Sequence, residues 1–335
     1  MALLYIDGFA TYNTAQIGLY WVAANCTIDP TAGRRGGPGL VIGNNASVIK
    51  PISPRNKVVL GAAMKFAIID TTTYDLICFK DGNQTQVRVE YVNNNLRITG
   101  PAGVLATGNT FLANGTVHFI EFMATIAPSI AANSCVLRID GVVDCVAPAG
   151  ASTQATGNAS VNRIQIASSG FGTVGVTLSD VHILDGLGAV NNGLLGDRKV
   201  EVIRPDAAGG LSEWTAVGAT DGWECVDDTV HDGDATYVAS LTPGQYSTFG
   251  LTDLPSGVPA IDGVLVRTTA RKDDAGSRTL ALALEVGGTR YDGVALALIE
   301  TYAVLYQGWD LNPATSAGWT ESDINALGAG VKLVS

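Results

Sequence analysis

Along the first half of the chain, apolar residues either alternate with polar ones or run together in stretches too short for helices. The clearest stretches are 58–66, 76–79, 86–91, 96–99, 117–126, 135–139, 163–166 and 176–184, and their Val, Ile, Leu and Phe content marks them as β-strands. Between them lie Asp81-Gly82, Asn93-Asn94-Asn95, Asn114-Gly115 and Asp140-Gly141. These residue types reach positive φ at little steric cost, so the strands are expected to pair as antiparallel hairpins. No segment holds a helical period long enough to cover a parallel sheet, and a two-layer sandwich is the arrangement that buries one face of every strand.

The pattern breaks at 185–197, a glycine-rich stretch without strand alternation. It is read as a boundary between domains at 1–188 and 189–335, the alternative being an ordered loop of one larger fold. Strands resume at 199–204, where Pro205 is expected to stop the first of them, and continue at 237–239, 245–249, 260–270, 280–286, 289–291 and 304–309. Gly287-Gly288 supplies a tight hairpin turn. Thr320 followed by Glu321 and Asp323, with Gly328 beyond, has the N-cap, acidic first turn and terminating glycine of a short helix. With a last strand at 331–334, the second domain is expected to be a smaller β-sandwich with one short helix.

Composition agrees: 335 residues suit about two domains, and 40 glycines with only 15% charged residues suit many short strands and tight turns. Residues 1–12 carry no Lys or Arg before their apolar stretch and no cleavage-site pattern, so they read as mature structure. No apolar run approaches the roughly 20 residues of a membrane-spanning helix, and no membrane insertion is expected. Charge is lopsided. Up to Val190 there are 11 basic and 11 acidic residues; beyond it there are 9 and 20, so the whole net charge of −11 belongs to the second half. A field of that sign repels phosphate backbones and anionic headgroups, which excludes nucleic acid as an expected partner. It serves solubility, or it leaves the neutral half to dock while the acidic half faces solvent.

Candidate chemistry is sparse. Cys26, Cys78, Cys135, Cys145 and Cys225 are odd in number and lack CxxC spacing, which argues against a zinc site or a disulfide framework. A three-residue hairpin loop would set Cys135 opposite Cys145 and Leu137 opposite Val143, whereas a two-residue loop would set Leu137 against Asp144. The first register buries apolar residues better, and both cysteines are expected to be reduced core thiols. His118 and His182 sit within strand patterns and His231 in an acidic loop, and no GxSxG, HExxH or phosphate loop is present. Asp227, Asp228, Asp232 and Asp234 could offer oxygens to Ca²⁺, but their spacing is not that of an EF-hand and a solvated turn is the expectation. Glu90 and Glu121 form no E-x-D-x-x-E strand motif, so paired-carboxylate hydrolysis is not expected. Trp21, Trp214, Trp223, Trp309 and Trp319 are irregularly spaced and are expected to fill cores, the alternative being a platform for sugar rings.

The succession Leu76-Ile77-Cys78-Phe79, 86–91, Leu96-Arg97-Ile98, 116–122, 136–142 and 178–185 resembles the laminin-G-like, concanavalin-A-like jelly roll. More specifically, Ile6-Asp7-Gly8-Phe9, the Gly33-Arg34-Arg35-Gly36-Gly37 turn, the 153–159 loop, the junction 196–205 followed by Trp214, Asp227-Asp228, Thr236-Tyr237-Val238 and 271–278 resemble a family of tailed-bacteriophage and prophage virion proteins. That resemblance covers nearly the whole chain. It implies a structural or appendage protein of a virion, associated with tail, fibre or capsid, assembled in the bacterial cytoplasm and acting through contacts with other virion proteins, with a homo-oligomeric state expected. It implies no catalytic residue, no cofactor and no metal. The alternatives are a host-glycan-binding adhesin and, behind it, a polysaccharide-degrading enzyme.

Overall fold

The computed structural model describes residues 2–67, 73–167 and 175–335, with nothing to say of the side chains of 44 and 45. The chain divides into two compact units, Ala2–Val200 and Glu201–Ser335.

In the first unit, the strands are β1 (Leu3–Asp7), β2 (Val22–Asp29), β3 (Gly39–Arg55), β4 (Lys57–Phe66), β5 (Tyr74–Asp81), β6 (Gln84–Val92), β7 (Asn95–Gly100), β8 (Gly103–Thr107), β9 (Val117–Thr125), β10 (Cys135–Ile139), β11 (Val142–Val146), β12 (Val161–Ile166) and β13 (Val176–Asp185). Among the described residues all thirteen form one antiparallel sheet in the order β11-β10-β9-β4-β13-β3-β12-β5-β6-β7-β8, with β1 added to β13 and β2 to β3. The turns follow the sequence chemistry. Asn93-Asn94 and Asp140-Gly141 both take positive φ at their two central positions, the geometry that matches strand twist in a two-residue hairpin.

This sheet curls nearly closed. Phe79 of β5 and Phe122 of β9 lie five strands apart in sheet order, yet their ring centroids are 4.8 Å apart. They can meet only if the two halves of the sheet face each other as the layers of a sandwich. Fully buried Leu60, Ile77, Val89, Ile98, Leu137, Ile164 and Ile183 belong to that core. The end strands also come together: Asp144 of β11 accepts hydrogen bonds from Asn109 N (3.1 Å) and Thr110 N (2.9 Å), just past β8.

The second unit contains β14 (Pro205–Ser212), β15 (Thr215–Val217), β16 (Tyr237–Ala239), β17 (Tyr246–Leu251), β18 (Val264–Ala270), β19 (Thr279–Val286), β20 (Thr289–Asp292), β21 (Leu296–Ala297), β22 (Ala303–Trp309), a short helix α1 (Glu321–Asn325) and β23 (Gly328–Leu333). Five strands run in the order β14-β17-β23-β19-β20, and β21 joins at β19; β15-β16 and β18-β22 are two-stranded ribbons. Leu280, Leu282, Leu284 and Val331 of the sheet pack against Val264 and Val266 of β18 and Leu305 and Trp309 of β22, so the β18-β22 ribbon closes this core. The helix carries a capping box, Thr320 accepting from Asp323 N while the Asp323 carboxylate accepts from Thr320 N.

The all-β class expected from the sequence is the one adopted. Two local expectations are corrected. Residues 199–204 are not a strand; pairing begins at Pro205, where the partner strand ends at Leu251. Cys135 does not face Cys145: the hairpin turn has two residues, but a bulge at Asp144 shifts the register so that Cys145 opposes Leu137.

Candidate functional site

Strand β6 alternates cleanly. Val87, Val89 and Tyr91 enter the core, which sends Gln86, Arg88 and Glu90 to the outer face, where cross-strand pairing adds Thr99 and Arg97 of β7. Glu90 is buried among donors: Arg88 Nε lies 2.8 Å from Oε1, and Arg97 Nε and Thr99 Oγ1 each lie 2.6 Å from Oε2. Burial alone would oppose its ionisation, but the hydrogen bonds from Thr99, Arg97 and Arg88 outweigh it and hold the carboxyl below its usual range. Asp75, also bonded to Arg88 at 3.0 Å, is moved the other way by burial. Beside this network the buried Gln86 amide ties down the 153–159 loop, donating to Asn158 O (2.7 Å) and accepting from Ala155 N (2.6 Å). Asp81 holds the same loop through Thr156 and Asn158.

The result is an open groove of about 440 Å³ lined by Asn83, Gln84, Thr85, Arg88, Thr99 and Pro101 among others. Its lining is amide, hydroxyl and guanidinium, suited to exchanging hydrogen bonds with a polyhydroxylated ligand, and it contains no aromatic ring and no free carboxylate pair.

A second polar row crosses the outer face of β13, β4, β9 and β10. His182 is paired with Gly61, Gly61 with Glu121, and Glu121 with Arg138. A Cβ on Gly61 would lie 2.2 Å from His182 Cε1, so the glycine is what lets the imidazole lie flat across β4. His182 is 3% exposed and Glu121 0%, yet both ring nitrogens, Glu121 Oε2 and Arg138 Nε lack hydrogen-bond partners among the described residues. Glu121 Oε1 accepts from Gly196 N at 2.8 Å. Burial, aided by the nearby Arg198 charge, pushes the His182 imidazolium down to about 4, and burial raises the Glu121 carboxyl.

The remaining sequence candidates have other partners. His118 Nδ1 lies 2.7 Å from Asp140, and the His231 ring stands 5.2 Å from that of Tyr302. In the acidic loop Asp232 accepts from Thr236 (2.8 Å), and Asp234 binds Arg271 (2.9 Å) and Tyr302 (2.7 Å). No three His, Cys, Asp or Glu side chains converge as metal ligands among the described residues. None of the five tryptophans is exposed: Trp21 and Trp319 are buried, and the others are half-buried. All five cysteines are buried free thiols, with burial pushing Cys135 and Cys145 each up to about 12.

What the sequence reading missed was legible in part. The polar positions 86, 88 and 90 follow from alternation, but their grouping with Thr99 and the 153–159 loop needs the register.

No family model matches the chain, and no curated protein sequence does. Among solved structures it is similar to a sialidase, at 13% identity over 54% of this chain and 18% of that one, with a TM-score of 0.40. It is similar to the receptor-binding domain of botulinum neurotoxin mosaic serotype C/D, at 9% identity over 50% of this chain and 43% of that one, with a TM-score of 0.34. It is also similar to a carbohydrate esterase from the Shiga toxin-encoding bacteriophage phi24B, at 11% identity over 54% of this chain and 99% of that one, with a TM-score of 0.37. The chain thus spans under half the length of the first two, and what it shares with all three is distant likeness of an all-β fold.

Proposed function

We propose that the chain is a structural or appendage component of a bacteriophage particle, associated with tail or capsid, that works as a homo-oligomer through protein surfaces and makes or breaks no bonds. The observation that carries this reading is the apolar junction where the ends of the curled sheet meet. Phe111 (60% exposed), Val142 (70%) and Val143 (48%) lie within two residues of the hydrogen bonds between Asp144 and the 109–110 amides. Val142 and Val143 face opposite sides of this end strand, and exposed apolar side chains on an end strand suit contact with another protein surface. A second copy of the chain is the proposed occupant, since this half carries no net charge to repel it. The sequence resemblance to virion proteins supports the same reading.

Light scattering over a concentration series tests it. The wild type is expected to form a defined oligomer, and a Phe111→Ser, Val142→Asp double variant to elute as one protomer with unchanged circular dichroism. A wild type that stays monomeric throughout, or that shortens a polysaccharide, overturns the proposal.

A second reading, a host-glycan adhesin, is favoured by the hydroxyl- and amide-lined groove beside Arg88. On a saccharide array it requires binding by the wild type that falls at least about tenfold in an Arg88→Ala, Gln84→Ala variant. Binding that survives both changes removes the groove from consideration.

A further inference from the structure

Residues 186–200 end the first unit, and their sequence is that of a loose linker, yet the structure fastens them down. Lys57 Nζ donates to Asn192 O (2.6 Å), Gly196 N to Glu121, and Val200 N to Asp180 (2.7 Å). Arg34, from the 33–37 turn, binds the carboxylates of Asp180 and Asp197 and the carbonyl of Arg198. The strap lies across the His182-Gly61-Glu121 row, and that row contains the unpartnered buried nitrogens of His182.

We propose that residues 186–200 form an acid-releasable strap, with His182 as the proton acceptor that opens it. The neutral imidazole is tolerated under the strap because Gly61 leaves it room and Phe119 stacks on it at 5.8 Å. A proton on that ring would create a cation with no acceptor, close to the positive Arg198. Lifting the strap lets water solvate the charge, so acid favours the open form.

The other charged groups facing the ring fix the sign. Arg34 and Asp180 neutralise one another, and Asp197 is held by Arg34. His118, farther along β9, is bonded to Asp140. Arg138 stands at the far end of the row beside Glu121. Glu121 opposes His182: its carboxyl is raised by burial, so acid eases its confinement and favours the closed strap. The histidine is displaced from its ordinary 6.5 to about 4, so a solvated ring takes its proton well above the pH at which the confined ring does, and the strap opens in that interval.

Hydrogen exchange of the full chain at pH 7 and pH 4.5, corrected for intrinsic rates, reads the opening through peptides spanning 186–200. The Gly196 amide held by Glu121 is the sharpest reporter. Opening is expected to rise at least about tenfold at the lower pH, while β4 and β13 peptides stay protected. His182→Phe, which keeps a flat ring over Gly61 but takes no proton, should abolish the rise; Glu121→Gln should steepen it. Equal protection at both pH values, an undiminished rise in H182F, or simultaneous loss of protection across the whole first unit overturns the proposal. Should H182F fail to fold, His182→Gln and the wild-type comparison of strap with β13 decide it on the same terms.

Discussion

Gly330→Ala unfolds the second unit and leaves the first intact. Gly330 lies in the middle of β23, between β17 and β19, and pairs with Thr248 and Ala283. A Cβ there would stand 2.0 Å from Ser247 O and 2.7 Å from Thr248 Cα. These are backbone atoms of a central strand, so no rotamer change relieves the clash; β17 must separate from β23. A loss of about 4 kcal/mol or more is expected, comparable to the stability of a small domain. Hydrogen exchange should show collapse of protection in 246–251 and 279–286 with little change in 117–125. Wild-type protection in the variant would show that β23 does not lie between β17 and β19.

Asp7→Ala should destabilise the first unit by about 4 kcal/mol, because burying donors without acceptors costs roughly 1–3 kcal/mol each. Asp7 is 1% exposed and accepts from Phe9 N (2.9 Å), Tyr5 Oη (2.9 Å), Tyr12 Oη (2.8 Å) and Trp21 Nε1 (3.0 Å). One loss is softened, since Trp21 Nε1 also reaches Tyr12 Oη at 3.1 Å. Lys50 Nζ stands 3.4 Å from the centroid of the Tyr5 ring and donates to Tyr20 O (2.9 Å), so loosening Tyr5 also weakens the cation–π contact of this buried cation. Thermal unfolding is the measure. Asp7→Asn, which retains one acceptor oxygen, should lie between the alanine variant and the wild type; an alanine variant within 1 °C of wild type would contradict the role assigned to the hub.

The strands that alternate or end in Asn and Gly turns were legible in the sequence, because their signals are local: β5, β6, β7, β10 and β19 all fall where the pattern puts them. Strand β3 was not. Pro51 and Pro54 argue against a strand, and they are accommodated because β2 pairs no further along β3 than Ile49, so the proline side of the strand has no partner there. The Cys135-Cys145 register failed for a different reason, as the bulge at Asp144 exists to bring that carboxylate to the 109–110 amides, a contact across 34 or 35 residues that no hairpin rule contains. The row of His182, Gly61 and Glu121 was equally hidden. Its members come from three strands far apart in sequence, and each alone reads as an ordinary strand residue.

The pairing of β1 with β13, Leu3 against Leu184, has a consequence for how the chain is made. At elongation rates of roughly 5–20 residues per second, about 180 residues separating the two strands take on the order of 10–40 s to synthesise. Through that interval β1 has been made while its partner strand has not, whereas the aromatic cluster anchored on it draws its contacts from residues 5–21 and can form locally. Contacts of such long range also slow folding itself. The synthesis of β13 therefore sets the earliest moment at which β1 can join the sheet.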